Sequence, residues 1–187
     1  DSLHQIENII GGAGDDTLWG NELINLIDGG AGDDTLRGNE GNDTLNGNIG
    51  NDVADYSYLN NSINVNLSLS EYQVINDGFG SKDSLLGIET IWASQTNDIL
   101  IGSNDKDVIY GYGGDDTFTG NNGDDTLFGG NGDDTFISTG ANDGSDVIDG
   151  RANDLKGDTV DYSSISRVGN GTTGGINVAL NGSTNAT

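Results

Sequence analysis

Over two stretches of this chain an apolar residue recurs at a spacing of nine, between stretches rich in glycine, asparagine and aspartate. From Gly11 to Asp55 the sequence reads GGAGDDTLW, GNELINLID, GGAGDDTLR, GNEGNDTLN and GNIGNDVAD. From Ala93 to Ile137 it reads ASQTNDILI, GSNDKDVIY, GYGGDDTFT, GNNGDDTLF and GGNGDDTFI. The first six positions are residues that tolerate left-handed or tightly turned backbone. The last three, such as Thr35-Leu36-Arg37, suit a very short strand. Turn and strand used twice predict one coil of two nonapeptides, with turns two repeats apart stacked on the same edge. The apolar eighth positions are the candidate core: Leu18, Ile27, Leu36, Leu45 and Ala54, then Leu100, Ile109, Phe118, Leu127 and Phe136.

The two arrays begin 82 residues apart, and their lead-ins match at the same offset: DSLHQIENII (Asp1 to Ile10) against DSLLGIETIW (Asp83 to Trp92). After the arrays, ADYS with INVNL (Ala54 to Ser57, Ile63 to Leu67) resembles VDYS with INVAL (Val160 to Ser163, Ile176 to Leu180). The chain therefore divides into a lead-in over 1–10, a first array over 11–55 and an intervening segment with the second lead-in over 56–92. A second array over 93–137 follows, then an insert and the start of a further intervening segment over 138–187. This tandem is expected to be a piece of a longer protein. In the intervening part, alternating Ile63, Val65 and Leu67 predict a strand, and Leu69, Val74, Ile75 and Phe79 are candidates to cap an open end.

Composition sharpens the picture. Acidic residues outnumber basic ones 31 to 6, for a formal charge of −25, and 32 residues are glycine. Polyanionic nucleic acids and anionic membranes are excluded as partners by that charge, and no run of ~18 apolar residues exists for a membrane-spanning helix. One buried apolar side chain per repeat, worth about 1.5–3 kcal/mol, falls short of ordering nine residues at about 1–2 kcal/mol each. The sixth-position acids make the shortfall worse. Asp16, Asp34 and Asp52 are expected along one edge of the first array, with Asn25 and Asp43 on the other. Asp98, Asp116 and Asp134 are expected along one edge of the second, opposite Asp107 and Asp125. Carboxylates one strand spacing apart repel by roughly 3–4 kcal/mol at an effective dielectric of about 20. A hard divalent cation between successive turns removes that penalty, with ligands from carboxylates and turn carbonyls, and metal binding then becomes folding free energy.

The nonapeptide resembles G-G-x-G-x-D-x-U-x, with U a large apolar residue, the repeat of the RTX or haemolysin-type calcium-binding family. It covers 90 of 187 residues, ten copies in register. The resemblance implies an all-β fold, a parallel β-roll or right-handed β-solenoid, with several calcium ions per array. It also implies that the sixth-position Asp16, Asp34, Asp43, Asp52, Asp98, Asp107, Asp116, Asp125 and Asp134 are the metal ligands. GNELINLID departs from the pattern, with Asn25 for Asp and Leu23 and Ile24 at turn positions, and Lys106 at a fifth position is expected to weaken the site around Asp107.

Other chemistry is sparse. His4 is the only histidine and cysteine is absent, which removes histidine-based triads, thiol nucleophiles and multi-histidine zinc sites; no catalytic activity is expected. The seventh-position threonines read as exposed strand residues rather than an ice-binding ladder. Trp19, Tyr110 and Phe128 at ninth positions, with Trp92 and Tyr112, either stack on an extracellular glycan or pack under neighbouring loops. Asp77, Asp83, Asp143, Asp146, Asp149, Asp154 and Asp158 lie outside the arrays and are either extra ligands or surface carboxylates, the run Asp143 to Asp149 being the strongest candidate. The resulting expectation is a calcium-binding structural module of a secreted or cell-surface protein, such as an adhesin or fibre, whose copies stack end to end. The alternative is an accessory or carbohydrate-binding module of a secreted exoenzyme.

Overall fold

The computed structural model describes residues 6–139, 143–152 and 157–163. His4, Asp154, half of the first lead-in's matching residues (Asp1, Ser2 and Leu3) and the run at 176–180 lie outside them. All regular structure among the described residues is strand. The first array forms β1 (Asn8–Ala13), β2 (Thr17–Trp19), β3 (Leu26–Ala31), β4 (Thr35–Arg37), β5 (Thr44–Ile49) and β6 (Val53–Asp55). The intervening segment forms β7 (Asn64–Asn66), β8 (Val74–Asn76), β9 (Ser84–Leu86) and β10 (Thr90–Trp92). The second array and the insert form β11 (Ile99–Ile101), β12 (Val108–Gly113), β13 (Thr117–Thr119), β14 (Thr126–Asn131), β15 (Thr135–Ile137), β16 (Val147–Ala152) and β17 (Thr159–Asp161).

Each nonapeptide thus contributes a turn and a strand, as its residue types dictate, and alternate strands belong to different sheets. Pairing is parallel with a register of 18 residues inside the arrays, as in Thr35 against Thr17 and Phe118 against Leu100. The result is a β-solenoid with two faces. One face is a single seven-stranded sheet, in the order β16-β14-β12-β10-β6-β4-β2, that runs through both arrays. The other face is two sheets, β1-β3-β5-β9 under the first array and β17-β15-β13-β11-β7-β8 under the second.

The intervening segment makes the join. After β6 the chain moves ahead to β7, which later pairs with β11, and returns through β8, antiparallel to β7. It then lays β9 against β5 and β10 between β6 and β12. An isolated antiparallel bridge between Val74 and Asp83 links the two opposing sheets. Val74, named as a capping candidate, is fully buried here, whereas Leu69, Ile75 and Phe79 stay about two-fifths exposed.

The core is the stack of eighth positions. Leu36, Ala54, Ile91, Ile109 and Leu127 follow one another in register along the shared sheet. Val65, Leu100, Phe118 and Phe136 do so opposite, with the Phe118 and Phe136 rings stacked at 4.8 Å between centroids. All are buried; Leu18, at the start of the array, is only partly so. Ile91 and Val65 show that the intervening segment fills the same columns as the repeats.

Candidate metal centre

The sixth-position residues stand in rows because the strand after each is pinned to its neighbour one coil away. Within a row, one carboxylate oxygen accepts the backbone N–H of the sixth residue in the preceding coil. Asp34 accepts from Asp16 at 2.8 Å, Asp52 from Asp34 at 2.8 Å, and Asp125 from Asp107 at 2.9 Å. On the first opposing edge Asp43 accepts from Asn25 at 2.8 Å. On the second, Asp116 accepts from Asp98 at 2.7 Å and Asp134 from Asp116 at 2.9 Å. Fifth positions form a second, exposed ladder of opposite sense: Asp15 accepts the amide of Asp33 at 2.9 Å, and Asp115 that of Asp133 at 3.0 Å. The pairs Asp33-Asp34 and Asp115-Asp116 therefore each tie a coil to both neighbours.

The rows extend beyond the arrays. Glu89 Oε2 accepts the amide of Asp52 at 2.9 Å, and its own carbonyl accepts the amide of Val108, carrying the first-array row of Asp16, Asp34 and Asp52 towards Asp107 and Asp125. Asp146 ends that row by accepting from Asp125 at 3.2 Å. Asp83 continues the Asn25–Asp43 row, accepting from Asp43 at 2.9 Å, and Asp158 continues the Asp98 row, accepting from Asp134 at 3.0 Å. Three carboxylates outside the arrays thus occupy row positions, and Glu89 takes a fourth. The signal was present: GFGSKDSLL (78–86) carries Gly78, Asp83 and Leu85 at first, sixth and eighth positions, hidden because no second copy follows at nine residues. Of the 143–149 run, only Asp146 joins a row. Asp143 accepts the Thr139 amide and the Ser138 hydroxyl, and Asp149 lies exposed on β16.

The second carboxylate oxygen divides the turns into two kinds. In the turns of Asp16, Asp98 and Asp107, Oδ2 accepts the amide of the second-position residue, from Gly12 at 2.8 Å, Ser94 at 2.7 Å and Ser103 at 2.7 Å. Asn25 is closed in the same way by Asn21 at 2.7 Å. In the turns of Asp34, Asp43, Asp52, Asp116, Asp125 and Asp134, Oδ2 is buried with no hydrogen-bond partner. In each of these six the second-position residue, Gly30, Asn39, Asn48, Tyr112, Asn121 or Gly130, has a left-handed φ. The four closed turns lack that conformation. Every open turn stacks on a complete turn of the preceding coil, whereas every closed turn starts a row or follows the shortened coil Gly87-Ile88-Glu89.

Space for the free oxygen is made by the first-position glycine. A β-carbon built on Gly29, Gly38, Gly47, Gly111, Gly120 or Gly129 would lie 2.1–2.5 Å from the Oδ2 of its turn's aspartate. The six open-turn aspartates are each no more than 1 % exposed. Burial pushes the carboxyls of Asp43, Asp125 and Asp134 up to about 6 against the pull of backbone hydrogen bonds. Asp116 is pushed up to about 9, by burial first and then by the charges of Asp98, Asp134 and Asp115. Asp98 is raised to about 6, and Asp107 is raised as well, both through burial. No compensating cation is at hand: among the described residues the one ion pair joins Arg37 to Asp55 on the outer face. No three His, Cys, Asp or Glu side chains converge among those residues either. An all-oxygen, carboxylate-plus-carbonyl donor set suits a hard cation, and the orphaned oxygens pass the test of fit for calcium.

The aromatic residues are engaged with one another on the outer face of the shared sheet. Tyr110 stacks on Phe128 at 4.6 Å, Arg151 lies 4.3 Å over the Phe128 ring, and Trp92 meets Tyr112 edge-on.

The family model for the RTX calcium-binding nonapeptide repeat, in four copies, matches residues 6–22, 19–54, 85–118, 101–136 and 110–143. No curated protein matches the chain. The matched stretches cover more than half of the sequence, both arrays and the shortened coil between them, and coincide with the stacked turns and their aspartate rows. On the repeat, the solenoid and this match together, the chain belongs to the family of RTX calcium-binding nonapeptide repeat proteins.

Proposed function

We propose that this chain is a calcium-dependent structural segment of a secreted or cell-surface protein, with one ion between successive turns at each of the six open positions. The observation that carries the reading is the coincidence of an orphaned, buried Oδ2 with a left-handed second position in the same six turns. Asp34, Asp43 and Asp52 in the first array, and Asp116, Asp125 and Asp134 in the second, each offer that oxygen to the space between turns. Asp16, Asp98 and Asp107 brace the row starts, since their second oxygens already accept an amide. Calcium supplies the positive charge that these buried carboxylates otherwise lack, and the left-handed second residue keeps the turn from closing on its own amide.

Extracellular calcium modules bind at about 10⁻⁴–10⁻³ M. A chain of this kind stays unfolded at low cytosolic calcium, leaves the cell in that state through type I secretion, and folds outside. The folded solenoid then serves as a rigid spacer in an adhesin, fibre or surface layer, its open ends stacking on further copies as solenoid ends do. Far-UV circular dichroism, started in chelator and titrated with calcium, tests the switch. A coil spectrum turning to β at submillimolar to millimolar calcium, unmoved by magnesium, with about six ions per chain by metal analysis, is the expected result. A β spectrum unchanged in chelator with no metal present would overturn it. Light scattering in calcium tests the stacking, and a monodisperse monomer would remove that part.

A further inference from the structure

The hairpin between the arrays holds a buried carboxylate that no repeat position accounts for. Asp77 follows β8 and is fully buried. Its Oδ1 accepts the amides of Phe79 at 2.9 Å and Ser81 at 2.8 Å within the turn, while its Oδ2 is buried without a partner. Asp43, the last acid of the first array on that edge, leaves its own Oδ2 in the same condition. Asp83, bridged to Val74 of β8 and next after Asp43 in the row, has both oxygens in use, Oδ1 by the amide of Asp43 and Oδ2 by the hydroxyl of Tyr56 at 2.7 Å. These groups sense one another: the charge of Asp77 adds to the upward push that burial gives Asp43, Asp83 and Tyr56.

Among the described residues nothing cationic answers this charge. Lys82 is exposed, and Arg37 is committed to Asp55 and to the rings of Trp19 and Tyr58. Ionised carboxylates buried without a counter-charge are strongly disfavoured, so this pocket calls for a cation or a proton. The two orphaned oxygens come from different carboxylates, and Tyr56 already donates to the third, which leaves an acceptor-only pair.

We infer that Asp77 is a ligand supplied from outside the nonapeptide repeats, sharing with Asp43 a divalent cation that locks the hairpin onto the first array. The inference rests on the calcium reading of the open turns and adds a second carboxylate to one of them. Affinity at oxygen sites rises with the number of charged ligands, so the ion at Asp43 is the tightest of the set and the last to leave under chelation. It sits where the two opposing sheets meet, and it holds the bridge between Val74 and Asp83 in place.

The test counts calcium by native mass spectrometry of the whole chain at buffered free calcium, in wild type, Asp77→Asn, Asp43→Asn and the double variant. Asn can keep the Oδ1 contacts of Asp77 while replacing the Oδ2 ligand with an uncharged amide nitrogen that does not bind the cation. The expected result is loss of the most tightly held ion, at least ~tenfold weaker in Asp77→Asn, with the double variant losing no more than Asp43→Asn alone. An unchanged count and midpoint in Asp77→Asn, or additive losses in the double variant, would overturn the shared site. Wild-type chain that binds no calcium would instead sink the reading of the rows. Should Asp77→Asn fail to fold in saturating calcium, amide exchange of Phe79 and Ser81 in Asp43→Asn decides. Faster exchange is expected if one ion ties the two residues, and unchanged exchange refutes it.

Discussion

The two arrays are near copies in sequence, yet they sit in the solenoid in opposite phase. At an offset of 82 residues Asp16 corresponds to Asp98, Asp34 to Asp116, Asp52 to Asp134, Asn25 to Asp107 and Asp43 to Asp125. In the first array the strands after Asp16, Asp34 and Asp52 build the shared sheet; in the second it is the strands after Asp107 and Asp125. The six-residue strands follow the sequence rather than the face, so they lie opposite the shared sheet in the first array (β1, β3, β5) and within it in the second (β12, β14, β16). The cause is β10, which takes one place in the shared sheet before the second array begins and shifts every later strand to the other face. The repeat dictates a coil; the number of half-coils between arrays dictates which way each copy looks.

The join also differs from the arrays in what holds it together. Its buried glutamine is partnered within the chain: Gln73 donates to the Leu69 carbonyl at 2.9 Å and accepts the Leu85 amide at 2.9 Å. Among the described residues the orphaned carboxylate oxygens, apart from that of Asp77, all lie in the arrays. The arrays therefore hold most of the unpartnered carboxylate oxygens, and the join carries the continuity between them.

The largest effect expected is that of pH on the ion-free chain. Carboxyls whose folded values are raised stabilise the fold below their unfolded value near 4 and lose that contribution as pH rises through the folded value. In the join and the first array these values are about 7 for Asp83 and about 6 for Asp43. In the second they are about 6 for Asp98, Asp125 and Asp134 and about 9 for Asp116. In chelator, strand content should therefore fall between pH 4 and 9, with the second array's amides last to lose protection because Asp116 holds its proton longest. Calcium affinity should move the other way, weakening in acid as protons compete. Circular dichroism and amide exchange across that range measure both; a chelated chain more stable at pH 8 than at pH 5 would contradict the burial argument.

Next in size is Gly111→Ala. The added carbon meets Asp116 Oδ2 at 2.3 Å, the Gly129 carbonyl at 2.6 Å and Phe118 Cζ at 2.8 Å, so a loss of about 3 kcal/mol is expected, with calcium affinity of the second array falling too. Gly14→Ala, where nothing lies within 4 Å, should leave both unchanged. Denaturant melts in saturating calcium separate the two outcomes.

Lys106→Asn should gain about 0.5–1 kcal/mol by offering the amide of Asp124, one coil on, the acceptor that Asp15 gives Asp33. No gain in the same melts would show that the exposed ladder is incidental. The smallest effect is expected for Asn25→Asp, which makes the first array match the second at Asp107. Because that turn is closed by the Asn21 amide, the variant should bind no additional ion and shift stability by less than about 0.5 kcal/mol. A gained ion by mass spectrometry would break the rule that closed turns do not ligate.

Much of this was legible from spacing. A period of nine with one apolar residue per repeat placed Ile27, Leu36, Leu45, Leu100, Phe118 and Phe136 in the core, because a coil of two nonapeptides has no other way to bury them. The same period put the sixth-position aspartates in rows. Spacing alone did not separate Asp16, Asp98 and Asp107 from the six open-turn aspartates, since the difference depends on whether a complete turn lies beneath. Nor did it place Glu89, Asp83, Asp146 and Asp158 in the rows, because their partners lie 37, 40, 21 and 24 residues away rather than at the repeat distance.

By itself, then, the sequence determined the coil, its core column and its acidic edges, all consequences of residue type recurring at a short period. Only the tertiary structure decided that both arrays share one sheet, which faces they present to it, and which turns stand open. Those outcomes follow from hydrogen bonds and stacking across coils, and a non-periodic segment of chain can meet them in many ways that no local pattern records.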